Sequence, residues 1–261
     1  MELLDLIRPW LLALAFTLPR LLVMFAIMPL FVESIIPATI RSGIIIAFAA
    51  FLLPLTHDQV LLINNNSVLM AAILIKEGVL GLFMGFIFSI PFWAVRATGF
   101  LIDTQRGTMS ALFFSPLSSN MVSPTGILLS QLTITLLFVS GSFLLLIQAI
   151  YVSYQTWPIN HFIPPLNIDT IRYFLSQLDK LMYTTLLLAG PFLGLMVIID
   201  LGAGLIGRYL PQLNLFQMTM PLKSGLAFFF LMYYVIIIAN YLRDNFITLA
   251  AQLQILEGIL K

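Results

Sequence analysis

RATGFLIDTQRGTMSALFFSPLSSNMVSP, Arg96 to Pro124, is a long polar interruption between two strongly apolar runs. It gathers Arg96, Asp103 and Arg106 with Gly99, Gly107, Pro116 and Pro124, and places Ser115, Ser118, Ser119, Asn120 and Ser123 beside Met109, Phe113, Phe114 and Met121. A plain connector between membrane helices does not require this mixture. The runs on either side are long enough to cross a bilayer, which needs about 20 consecutive apolar residues. Upstream lies Val68 to Val95, and downstream Gly126 to Tyr154.

The rest of the chain repeats this pattern. Further apolar runs cover Pro9 to Phe31, Arg41 to Leu55, Leu181 to Gly207 and Leu226 to Leu242. Across 261 residues, 61% are hydrophobic and 9% charged, against about a quarter charged in a soluble domain. One soluble core of this size cannot bury so much apolar surface, so the expectation is an all-α integral membrane protein with about six helices. Strands are excluded because a lone strand leaves its backbone unpaired in lipid. Pro19, Pro29, Pro54, Pro91 and Pro191 interrupt apolar runs, which predicts kinked helices covered by other protein.

Composition also limits the chemistry. A net charge of +1 gives no global field for nucleic acid. The absence of cysteine removes disulfides and thiolate sites. His57 and His161 sit in separate polar loops, no phosphate-binding loop of the Walker type occurs, and no nucleophile stands beside a base. The reading is therefore not an enzyme, with no cofactor and no metal. Glu2 and Asp5 precede Arg8, and no small-residue cleavage site follows, so the first run is expected to be retained. The loops after the first, third and fifth runs hold Arg41, Arg96, Arg106, Arg208 and Lys223; placing these in the cytoplasm puts both termini outside.

Within the runs, Gly78, Gly81 and Gly85 share one helical face and are expected to pack against another helix. Lys76 and Glu77, adjacent in sequence, do not face each other on a helix, so separate partners are expected. Arg20 at mid-run needs a partner or an escape to the interface. Glu77 and Asp200 are the intramembrane carboxylates of a possible coupling mechanism, and also of a structural pairing with cations from neighbouring helices. Asp169 to Lys180 reads as a short amphipathic helix. The tail, 243–261, places Phe246, Leu249, Leu253, Leu256 and Leu260 at helical spacing, as in an interfacial or partner-docking helix.

Three phrases, in order, carry a family resemblance. KEGVLGLFMGF (Lys76 to Phe86), IPFWAVRATGFLIDTQRG (Ile90 to Gly107) and, after Asp200, GRYLPQLNLFQMTMPLKS (Gly207 to Ser224) resemble the FliR/SctT family of type III export apparatus proteins. LIDTQRG and SYQTWP (Ser153 to Pro158) look more like virulence injectisome members than flagellar ones. Leu213 stands where the family often has methionine.

The resemblance implies a single-copy subunit of an export gate in the bacterial inner membrane. Its partners would be two smaller membrane proteins in several copies, an export switch protein and unfolded secreted substrates, with much of the subunit lying above the bilayer plane. The implied fold is a helical unit, 1–207, resembling four helices of one partner kind, with a hairpin at 181–242 whose cytoplasmic turn spans 208–223. The interruption at 96–124 becomes a plug loop. Its gating residues are Met109, Phe113, Phe114 and Met121, apolar groups suited to closing irregular gaps and to gating by dewetting. Its anchors are Asp103 and Arg106. Arg208, Gln212, Asn214 and Lys223 would contact a cytoplasmic-side partner. The alternative from a different class is a small-solute or ion transporter using Glu77 and Asp200.

Overall fold

The computed structural model describes residues 2–30, 36–61, 63, 67–107, 123–160, 168–209 and 215–259. These form seven helices: α1 Glu2–Ile27, α2 Ala38–Leu61, α3 Ser67–Gln105, α4 Pro124–Val139, α5 Ser142–Thr156, α6 Ile168–Tyr209 and α7 Leu215–Ile259. Among the described residues there is no strand. Five helices are long and apolar enough to cross a membrane, and α4 with α5 would make a sixth if that bent pair is one span. The expected all-helical membrane architecture is therefore present.

Several boundaries differ from the hydropathy reading: α2 runs on to Leu61, which places His57 in a helix and not in a loop, and α7 already begins at Leu215. α3 does not stop at Val95 but runs on to Gln105. Its buried positions Val95, Thr98, Ile102, Asp103 and Arg106 recur at helical spacing. The polar residues there lie on a packed helical face instead of breaking the helix. The run Gly126 to Tyr154 is not one straight span: α4 and α5 bend by 75°. Gly141 at the break has φ +73°, a left-handed conformation that glycine adopts at no steric cost. The short amphipathic segment at 169–180 is the beginning of α6, a single helix of 42 residues. Helical backbone likewise continues past Leu242 to Ile259 within the 45 residues of α7. At 1.5 Å per residue these two helices are about 63 and 68 Å long, roughly twice the hydrocarbon thickness.

The chain divides into two compact units that are not sequential. One comprises Met1–Ile90, Gly141–Gln177 and Ile247–Lys261, the other Pro91–Ser140 and Leu178–Phe246. In the first, α1 and α2 lie side by side. Phe25 stacks on Phe48 at 5.8 Å, and Phe48 meets Phe143 of α5. Gly81 and Gly85 let α3 approach α1: a Cβ at Gly81 would collide with the Arg20 carbonyl, and one at Gly85 would come within 2.9 Å of the Met24 carbonyl oxygen. Gly78 meets only Val23, at an ordinary 3.8 Å.

In the second unit, Phe192 of α6 is packed edge-on by Phe230 and Tyr234 of α7, while Phe92 of α3 meets Phe246. Thr98 Oγ1 donates to the Thr185 carbonyl. Gly99 and Gly126 touch backbone to backbone, and a Cβ on Gly99 would overlap Gly126. The helices differ in how much protein surrounds them. In the most apolar window of α3, 67% of residues are buried, against 22% in α6 and in α7. The last two helices thus carry large apolar side chains, such as Ile198, Met232 and Tyr233, on their outer faces.

Candidate functional site

Two buried polar clusters stand out, one in each unit. In the first, Arg20 of α1 has no solvent exposure. Its Nε donates to Glu77 Oε2 of α3 at 2.7 Å, Nη1 to Ser153 Oγ at 3.1 Å and Nη2 to the Trp157 carbonyl at 3.0 Å. The guanidinium also lies 4.0 Å above the Tyr154 ring, a cation–π arrangement. Lys76 Nζ sits 2.9 Å from Glu77 Oε1 and donates to the carbonyls of Pro158 and Ile159. Gln59 of α2 closes the ring by donating to the Tyr154 carbonyl and accepting from Ile159 N–H.

The expectation that Lys76 and Glu77 find separate partners is corrected by this geometry. The Lys76 stem is long enough to bring its ammonium back to the neighbouring carboxylate, so one carboxylate serves two cations. This answers the mid-run Arg20 as well: it is paired inside protein and does not reach for the interface.

The second cluster surrounds Asp103, which is wholly buried near the end of α3. Oδ1 accepts from Arg106 Nη1 at 3.0 Å and from Thr125 Oγ1 at 2.6 Å; Oδ2 accepts from Ser123 Oγ at 2.6 Å and from Thr125 N–H at 2.9 Å. Ser123 is the N-cap of α4 and Pro124 its first residue, the favoured pattern for starting a helix. Asp103 thereby places its charge at the positive end of α4. Residues 108–122 lie between these two ends, so Asp103 joins the residues that lead into and out of that segment.

Arg106 extends the cluster to α7, reaching Ser224 Oγ and lying 4.4 Å over the Phe228 ring. Beside it, Lys223 Nζ donates to the Gln105 carbonyl and pairs with Asp200 of α6. Both carboxylates considered for ion coupling are therefore engaged by cations, Glu77 by Arg20 and Lys76, and Asp200 by Lys223.

Of the residues singled out in the sequence, Met109, Phe113, Phe114 and Met121 lie outside the described residues, as do Gln212 and Asn214. Arg208 is exposed in the last turn of α6. Asp103 and Arg106 are in direct contact. Gly81 and Gly85 sit in the α1–α3 contact and Gly78 at its edge. Sequence reasoning missed Thr125, Ser224 and the Gly99–Gly126 contact. The Ser-Pro pair at 123–124 was the available signal for the first of these.

The distinctive phrases meet in pairs. KEG at 76–78 faces SYQTWP at 153–158 in one unit. DTQRG at 103–107 faces MPLKS at 220–224 in the other.

Residues 11–249 match the family model described as bacterial export proteins, family 1. The chain is 35% identical over 231 residues to Yop proteins translocation protein T of Yersinia pestis, covering 88% of each. It is 31% identical over 229 residues to the secretion system apparatus protein SsaT of Salmonella typhimurium, covering 85% of this chain and 86% of that one. Identity to the flagellar biosynthetic protein FliR of Bacillus subtilis is 26% over 233 residues, with 87% of each covered.

Proposed function

This chain belongs to the bacterial export proteins of family 1, a family of multi-pass inner-membrane components of type III export apparatus, and from that premise we propose that it forms part of the export gate. In this reading it is a single-copy subunit forming part of the pore for unfolded substrates, and the loop at 96–124 contributes the plug of the closed state, its centre lying between Arg106 and Ser123. It performs no catalysis of its own.

The observation that carries the reading is the Asp103 cluster. A buried carboxylate accepting four hydrogen bonds joins Arg106, before the segment, to Ser123 and Thr125, after it. Charge-assisted bonds of this kind are about twice as strong as neutral ones. Firm anchorage at both ends of a segment rich in Met, Phe and Ser suits a plug that must yield in the middle and hold at its base. The apolar outer faces of α6 and α7 fit partner helices as well as lipid, in keeping with two smaller membrane proteins assembled around one copy of this chain. Arg208, Gln212 and Asn214 are proposed to meet a cytoplasmic-side switch protein; Lys223 is buried against Asp200 and the Gln105 carbonyl instead.

Deleting Ser110 to Asn120 in cells that assemble the whole complex is expected to make the membrane leaky to ions and small molecules. An assembled complex with unchanged permeability defeats the plug assignment. A solute or ion transporter would instead move its solute when this chain is reconstituted alone. A gate subunit co-purifies with its membrane partners and transports nothing by itself.

A further inference from the structure

The end of α3 is held by a helix distant in sequence. Every helix leaves its last carbonyls without intrahelical partners. Cations near a helix C-terminus satisfy them and are favoured by the macrodipole. In α3 the final carbonyl, that of Gln105, accepts from Lys223 Nζ of α7 at 3.4 Å. Three further features bind the same turn to the same stretch of α7. Arg106 Nε donates to Ser224 Oγ. The Arg106 guanidinium lies over Phe228. Gly107, with φ +81°, turns the chain directly against Met220, whose side chain leaves no room for a Cβ without displacement. Asp200 of α6 pairs with the same ammonium, and its own side chain is 49% exposed.

We propose that Lys223 is a helix cap supplied in trans: it positions the last turn of α3, and through Arg106 the Asp103–Ser123–Thr125 cluster, so that a shift of the first turns of α7 is felt at that cluster. Spatial proximity alone does not establish such coupling; an element that both ends bias does. That element is the final turn of α3, closed by the Arg106 N–H to Ile102 carbonyl and Gly107 N–H to Thr104 carbonyl bonds. The capping role stands by itself. Its consequence for opening rests on the gate reading above.

The test is amide hydrogen exchange on the purified, assembled complex, read at Arg106 and Gly107. Lys223→Met keeps length and packing but removes every donor. Exchange should accelerate about tenfold, the worth of one charge-assisted hydrogen bond. Lys223→Arg should restore the wild-type rate. Asp200→Asn removes the ion pair and leaves the Lys223 donor in place, so protection should stay at the wild-type level. Should Lys223→Met fail to assemble, Lys223→Gln, whose shorter amide falls short of the Gln105 carbonyl, carries the same test, with faster exchange at Arg106 and Gly107 expected.

Unchanged protection in Lys223→Met, or protection lost in Asp200→Asn, overturns the cap. In cells, Lys223→Met should leak where Lys223→Arg stays tight. A tight membrane in both Lys223→Met and the Ser110–Asn120 deletion, with exchange accelerated as expected, removes the gate reading and leaves the cap standing. A leaky deletion with unaltered exchange in Lys223→Met does the reverse.

Discussion

Arg20 and Glu77 meet in the interior with Nε 2.7 Å from Oε2, neither side chain exposed to solvent. Fifty-seven residues separate them, and Lys76 adds a second cation to the same carboxylate. Among the described residues two cations share this one carboxylate, and the carbonyls of Trp157, Pro158 and Ile159 accept further hydrogen bonds from them.

Removing the carboxylate takes the shared counter-charge from Arg20 and Lys76. Glu77→Ala is expected to cost about 3–5 kcal/mol, the usual consequence of leaving a buried charge without its partner. The check is the amount of folded protein extracted from membranes and its thermal midpoint. Arg20→Met added to Glu77→Leu should recover part of the loss, because it removes one of the two cations.

Gly81, Gly85 and Gly78 form a graded series. Gly81→Ala drives a methyl into the Arg20 backbone and should destabilise the first unit by about 1–3 kcal/mol, with Gly85→Ala following it. Gly78→Ala meets open van der Waals contact and should gain up to about 1 kcal/mol from helix propensity. Thermal melting of the three variants side by side checks the order. Equal effects would remove the α1–α3 contact as the reason for these glycines.

Asp103→Ala leaves Arg106, Ser123 and Thr125 without their shared acceptor. Each lost bond to a charged group is worth about 1.5–3 kcal/mol, so loss of assembly or a leaky membrane is expected. Asp103→Asn should be intermediate, since the amide keeps one acceptor oxygen. Wild-type secretion through a tight membrane in Asp103→Ala counts against the anchor.

Gly141 has open space around its missing side chain but a left-handed backbone. Its replacement is therefore a conformational matter. Gly141→Val should cost about 1–2 kcal/mol, and Gly141→Asn appreciably less because asparagine tolerates this region. Parallel denaturation curves measure the difference.

Much of this architecture is legible from hydropathy, because length and apolar content alone define a bilayer span. Asp103 and Arg106 were visible too, as charges in a phrase otherwise apolar. What the sequence hid has three causes. Polar residues on one face of a helix look like an interruption when averaged along the chain, so the last ten residues of α3 read as loop. The rule that neighbours on a helix point apart describes Cβ directions, and the long stem of Lys76 escapes it to reach Glu77. The third cause is distance along the chain: nothing local in Arg20 names Glu77, and nothing in Lys223 names Gln105.

The bend at Gly141 has a consequence for sidedness. At about 24 and 22 Å, α4 and α5 are each too short to cross a hydrocarbon layer of about 30 Å. If the pair together makes a single crossing, the chain passes six times and its two ends share a compartment. If it dips in and returns by the same face, the crossings number five and the ends are separated by the membrane. Among the described helices, the parity of the topology thus turns on whether this bent pair crosses, and reporters fused to each end read it directly.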